Sequence, residues 1–400
     1  MGATETSTDA ERSGGVPWRS PVLLAVLAAT LMTPMDVPLI SSALPEIKSV
    51  FGVSDARAGL FVTLYALPGI LLAPVIGALA DRIGRRYVLA GTLAVFGLAG
   101  TAIAFTSDFA VALGLRVLQG FAAGSVLSAL AMTVVGDRYT GRRHDSVMGV
   151  TSAMLSLGTA AYPVVGGYLA VFAWNAPFLM YALTLPVAGL VLVALDEPAS
   201  PPGDDDRGYV REAIRLVPAR RAAALYGVMF ASFTLLFGGL YTALPFYLST
   251  AFGFASTTVG LVTSAVLLTT AIVSTQNGRL AARASTTTLL TAGFAAYAVG
   301  FLGVALAATP PSLVGALLVF GVGSGLVTPT LFAGLSALAP DHVRGGVMSL
   351  QTTTIGISQA AGPALFTLLG GAIGYQGTLL CGSVGAALGA TVLGVLWLDS

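Results

Sequence analysis

Two ionisable side chains in this sequence stand in otherwise apolar stretches, and together they could handle a proton. Asp36 lies in Thr33-Pro34-Met35-Asp36-Val37-Pro38 and is the only carboxylate well inside an apolar run. Arg116 lies in Leu115-Arg116-Val117-Leu118-Gln119-Gly120, with Gln119 three residues on and therefore on the same helical face. Withdrawal from water favours a neutral carboxyl, whereas a nearby guanidinium favours the carboxylate, so an acid balanced between them can load and release a proton. The alternative is a static pair that locks two segments together. Other chemistry is poorly provided for: His144 and His342 fall in polar connections, Cys381 is the only cysteine, and no Walker-type phosphate loop is present. No nucleophile, histidine and acid converge in one layer, so no enzyme activity, metal or cofactor is expected beyond a proton as coupling ion.

The elements that must hold these residues are membrane helices. Of 400 residues, 56% are hydrophobic and 9% charged, against roughly a quarter charged in a soluble domain. A formal net charge of +1 leaves no concentrated basic surface for nucleic acid. Crossing the hydrocarbon core takes about 20 apolar residues with every backbone group bonded inside the helix. Runs of that kind lie near 22–44, 57–80, 87–106, 110–135, 145–170, 177–195, 222–248, 257–280, 287–308, 312–338, 344–370 and 375–398, which predicts an all-α protein of twelve spans. The first twenty residues lack the apolar core of a removable signal peptide, so the first span is expected to direct its own insertion.

The only long polar interruption divides the spans six from six. The predicted organisation is a tail at 1–21, a six-helix half at 22–195, a central loop at 196–221 and a second half at 222–398. An internal repeat supports the division: Gly77-Ala78-Leu79-Ala80-Asp81-Arg82 returns 201 residues later as Gly278-Arg279-Leu280-Ala281-Ala282-Arg283, and Val147-Met148 and Pro163 return 200 residues on. Two homologous halves with a site between them are a recurrent transporter architecture. With the N-terminus inside, 16 of the 19 lysines and arginines fall in inner segments, and only Lys48 and Arg57 fall outside. Short loops rich in these residues stay cytoplasmic, so both termini are expected in the cytoplasm, in a multi-pass inner membrane protein. The stretch 209–221 reads either as an amphipathic helix on the inner surface or as a solvated linker.

Small and aromatic residues complete the candidates. Gly149, Gly158, Pro163, Gly166 and Gly167 on the fifth span permit close helix approach, and the proline loosens the backbone ladder. Tyr226, Phe230, Phe233, Phe237 and Tyr241 form one face of the seventh span, turned either to an apolar cavity or to lipid. Gln119, Tyr162 and Gln359, with Phe230, Phe233 and Phe237, are the candidates for lining a substrate cavity, and packing is the alternative for each.

The loop from Gly77 to Tyr87 resembles the signature loop of the major facilitator superfamily. In that family the acid and second-turn arginine form a charge relay with an acid at the inner end of the fourth span, roles that Asp81, Arg85 and Asp137 match. The stretch around Arg116 is similar to the family's fourth-helix motif, associated with proton coupling. The fifth-span glycines resemble the antiporter motif of twelve-helix drug:proton antiporters, with Tyr162 where that motif has glycine. The resemblance implies a major facilitator fold working by alternating access. It also implies proton-coupled export of small amphipathic or drug-like compounds by a monomer in the lipid bilayer. Proton symport or facilitated uptake of a sugar, amino acid or organic acid is the alternative, and a receptor or membrane enzyme without transport is the second. By helix rise, Asp36 and Arg116 lie roughly 12 Å and roughly 9 Å from the outer ends of their spans, hence at similar depth.

Overall fold

The computed structural model describes residues 15–122, 124–195, 219–338 and 344–396, and its regular elements are all helical. Most of the central loop and the stretch read as an amphipathic helix lie outside the described residues. The first half comprises α1 (Pro21–Met32), a 3₁₀ turn (Thr33–Met35), α2 (Pro38–Ser41), α3 (Leu44–Phe51), α4 (Asp55–Ile83), α5 (Arg85–Ile103), α6 (Phe109–Phe121), α7 (Gly124–Arg138), α8 (Gly141–Phe172), α9 (Ala176–Leu179), a second 3₁₀ turn (Met180–Leu183) and α10 (Thr184–Ala194). The second half comprises α11 (Ala219–Thr234), a π-helical segment (Leu235–Ala243), α12 (Leu244–Phe252), α13 (Ser256–Ala281), α14 (Thr286–Leu306), α15 (Pro310–Leu338) and α16 (Arg344–Leu396).

Among the described residues nine helices are long and apolar enough to cross a membrane, or ten when α3 and the start of α4 count as one bent span. The expected twelve map onto these with one division and one merge. The fourth span is divided into α6 and α7 by a break near Ala122, and the last two spans run together as α16, whose Gly374 has φ 74° where the two helices meet. Polar caps mark other ends: Asp108 accepts from the Ala110 amide at 2.7 Å to start α6, and Ser285 accepts from the Thr288 amide at 3.1 Å to start α14. The repeat is also visible in the backbone. Gly52 closes α3 at φ 60° and Gly253, 201 residues on, closes α12 at φ 64°, a left-handed cap that glycine adopts without a Cβ clash.

The two halves meet along two seams, α8 against α13 and α4 against α16. A Cβ on Gly167 would collide with the Ser256 carbonyl, and one on Gly260 with the Pro163 carbonyl, so the first seam is a close backbone approach made possible by missing side chains. In the second seam Thr63 donates to the Ala360 carbonyl at 3.0 Å, and Gly59 leaves room for Thr367. These contacts run from mid-depth to the face opposite the arginine-bearing ends of α4 and α13, where α3 also meets α12.

Candidate functional site

Pro34 and Pro38 carry no amide hydrogen, so the first span cannot keep its ladder between them. It passes from α1 through the 3₁₀ turn to an irregular pair, Asp36 and Val37, before α2 starts. Beyond the break the Ile40 and Ser41 amides both turn to the Val37 carbonyl, at 3.1 and 2.9 Å. The Met35 and Asp36 carbonyls take their hydrogen bonds from side chains of other helices. Tyr181 donates its hydroxyl to Met35 O at 2.6 Å, and Arg116 donates from Nη2 to Asp36 O at 3.3 Å.

Arg116 is fully buried and is the largest fully buried side chain among the described residues. Its other donors reach Phe61 O at 3.1 Å, Gln119 Oε1 at 2.6 Å and the Tyr181 hydroxyl at 3.3 Å. Its guanidinium also lies 5.2 Å from the Tyr65 ring centre and 5.9 Å from that of Phe61. A centrally placed arginine costs about 2.5–3.5 kcal/mol on insertion scales, and this cage of neutral acceptors and ring faces offsets the cost. The similar depth inferred for Asp36 and Arg116 is realised, but their contact is made through the Asp36 backbone carbonyl. The proline break exposes that carbonyl, and the carboxylate points elsewhere.

The carboxylate of Asp36 faces the second half. Its Oδ2 accepts from Gln359 Nε2 of α16 at 3.3 Å, and Tyr241 of the π-helical segment lies within electrostatic reach. The neighbouring Ala360 is the residue whose carbonyl Thr63 holds, so two consecutive positions of α16 are tied to the first half.

Of the other candidates, Gln119 is fully buried, accepting from Arg116 and donating to Phe96 O at 3.2 Å, so it orients the arginine. Tyr162 is buried and turned to α1, where its hydroxyl donates to Leu31 O at 2.8 Å. Gly158 packs against Leu31 and Pro34, and Gly166 against the Leu39 carbonyl, so these fifth-span glycines hold the broken first span. Gly149 has open space around its Cα. The Pro163 carbonyl accepts from Ser42 Oγ at 2.8 Å. On the seventh span Phe233 is buried, Phe230 is exposed, and Phe237 bridges Phe233 and Tyr241 with ring centres 6.1 and 5.8 Å apart. At the arginine-rich end Arg85 and Asp137 form an ion pair, while the side chain of Asp81 lies outside the described residues.

Tyr181 and Thr63 were not singled out from the sequence. Each is one hydroxyl in an apolar run, and only the approach of another helix's carbonyl distinguishes it.

The chain matches the Major Facilitator Superfamily over residues 26–255 and 225–400. It is 25% identical over 351 residues to the class B tetracycline resistance protein of Escherichia coli, covering 86% of this chain and 87% of that one. It is 29% identical over 359 residues to the class G tetracycline resistance protein of Vibrio anguillarum, covering 88% and 90%. It is 25% identical over 370 residues to the multi-drug resistance efflux pump PmrA homolog of Lactococcus lactis, covering 90% and 89%. Among solved structures it superposes on a bacterial homolog of the human lysosomal transporter Spinster, inward-facing and unoccupied, with a TM-score of 0.79 at 16% identity, covering 96% of this chain and 98% of that one. A variant of the nucleoside transporter NupG gives the same TM-score at 12% identity, covering 94% and 100%. The fold and the coverage agree: the chain belongs to the major facilitator superfamily, a family of multi-pass membrane transporters.

Proposed function

We propose that this protein is a proton-coupled exporter of small amphipathic compounds that works by alternating access, with Asp36 as the proton-carrying group. The observation that carries this reading is the position of the Asp36 carboxylate, at a break in the first span and turned to the opposite half. An acid at that interface can be presented to either side as the halves rock, and its charge is felt by both. Arg116 holds the backbone of the break, and Arg85 with Asp137 forms the described part of a relay that Asp81 would complete. The names of the relatives, tetracycline resistance and multi-drug efflux, favour export of drug-like molecules.

In this reading the arginine-rich ends face the cytoplasm, and both termini lie on that side of the inner membrane. The halves are joined toward the opposite face, so a monomer in this arrangement admits substrate from the cytoplasm. Phe233, Phe237 and Tyr241 form a continuous run of rings whose last member, Tyr241, lies within electrostatic reach of Asp36. Flux from proteoliposomes, measured against a panel that includes tetracyclines with and without a proton gradient, tests the proposal. Substrate movement opposite to protons is expected. Movement in the same direction would establish symport, and gradient-independent movement would remove the coupling role.

A further inference from the structure

Besides the backbone amides of Val37 and Asp36 itself, which bond the Asp36 carboxylate from its own break, four side chains could sense its charge: Arg116 of α6, Tyr181 of the second 3₁₀ turn, Tyr241 of the π-helical segment and Gln359 of α16. Arg116 and Tyr181 belong to the same half as Asp36, and their hydrogen bonds go to backbone carbonyls, to Gln119 and to each other. Tyr241 lies across the interface within electrostatic reach. Gln359 also lies across it, and it is bonded directly to the carboxylate.

We propose that Gln359 is the residue through which the second half registers whether Asp36 carries a proton. This rests on the reading of Asp36 as the proton carrier. An amide N–H donated to a carboxylate is a charge-assisted bond, roughly twice as strong as a neutral one. Once Asp36 is protonated the amide pairs with a neutral carboxyl, and the assistance is gone. The tie one residue along differs: Thr63 Oγ1 to Ala360 O joins two neutral groups, so its strength does not follow the proton. α16 is therefore joined to the first half by one tie that responds to the charge on Asp36 and, one residue along, by one to α4 that does not. A ligand or proton shifts a conformational equilibrium only by what it distinguishes between the states. The Gln359 bond makes that distinction, because it exists only where α16 lies against the break of the first span. Deprotonated Asp36 then favours the arrangement seen here, and protonation loosens it.

The test uses the full chain in lipid nanodiscs, with spin labels at Arg142→Cys and Ala282→Cys, both exposed, in a Cys381→Ser background. Distance distributions between the labels are recorded from acid to alkaline pH. The parent is expected to exchange two populations with pH. Gln359→Leu is expected to reduce that exchange at least twofold, and Thr63→Val to leave its pH dependence in place. A full parental response in Gln359→Leu, with none in Asp36→Asn, overturns the role of Gln359 and leaves Asp36 as the carrier. A parental response in Asp36→Asn overturns the carrier reading and this inference with it. Should Gln359→Leu fail to fold, Gln359→Asn, whose amide falls one methylene short, is judged by the same criteria.

Discussion

The first and seventh spans are counterparts in the repeat, and each departs from a regular helix at the same place by different means. The first tightens to a 3₁₀ turn at Thr33–Met35 and breaks at Asp36 and Val37, whereas the seventh widens into a π-helix at Leu235–Ala243, about 200 residues on. Their neighbours differ as well. In the first half Gly166 of α8 meets the Leu39 backbone; in the second, two glycines sit on the spanning helix itself, Gly238 against Phe366 and Gly362 of α16 and Gly239 against the Phe301 ring of α14. At the place of Gly166, 200 residues on, α16 carries Phe366 instead. Arg116 has only Ala316 or Leu317 at the corresponding place. The repeat preserves a weak point in the backbone at the half interface, but only one copy carries the charges. A broken helix with an acid and an anchoring arginine can couple to an ion, while an apolar widened helix offers shape to a substrate.

The largest expected effect comes from removing that anchor. Arg116→Ala leaves the acceptors at Phe61, Asp36 and Gln119 without their donor, so it should lower stability by about 3–5 kcal/mol and abolish transport. Truncating the counterpart by Leu317→Ala should cost about 2–3 kcal/mol and spare the proton dependence. Thermal melting in detergent and liposome flux measure both. Arg116→Lys should recover transport in part, because lysine restores the charge without the planar fork of donors. Equal proton dependence in the Arg116 and Leu317 variants would erase the distinction between the halves.

Packing gives the next test. Gly166→Ala drives a Cβ into the Leu39 backbone, which cannot turn aside, whereas Gly239→Ala meets the rim of the Phe301 ring. The first should cost about 3 kcal/mol and the second about 1 kcal/mol, read as shifts in melting temperature. Gly149→Ala, with open space around it, should change stability by less than about 0.5 kcal/mol.

Asp36→Asn should leave stability within about 1 kcal/mol, since an amide can still accept from Gln359, while ending substrate-triggered proton movement. Substituting the counterpart, Phe237→Leu, should alter which compounds move and preserve the proton response. Proton release recorded with a pH-sensitive dye separates the two. Smallest in stability is Asp81→Asn, expected to shift the distance between halves on the arginine-rich face without unfolding. Unchanged spin-label distances there would remove Asp81 from the relay.

Sequence alone determined the helical membrane class and the family, because each is written in properties that need no partner. Apolar run length decides whether a segment crosses hydrocarbon, and the loop from Gly77 to Tyr87 is contiguous. Asp36 and Arg116 were legible for the same reason, since a charge in an apolar run is visible without a structure. Only the tertiary structure decided where those charges point. The proline break frees backbone carbonyls, and carbonyls are the same at every residue, so nothing in the sequence marked the Asp36 carbonyl as the acceptor for Arg116 or Met35 as the partner of Tyr181. Nor could it show that the Asp36 carboxylate reaches Gln359, 323 residues away, because that distance is closed by two seams of missing side chains between the halves.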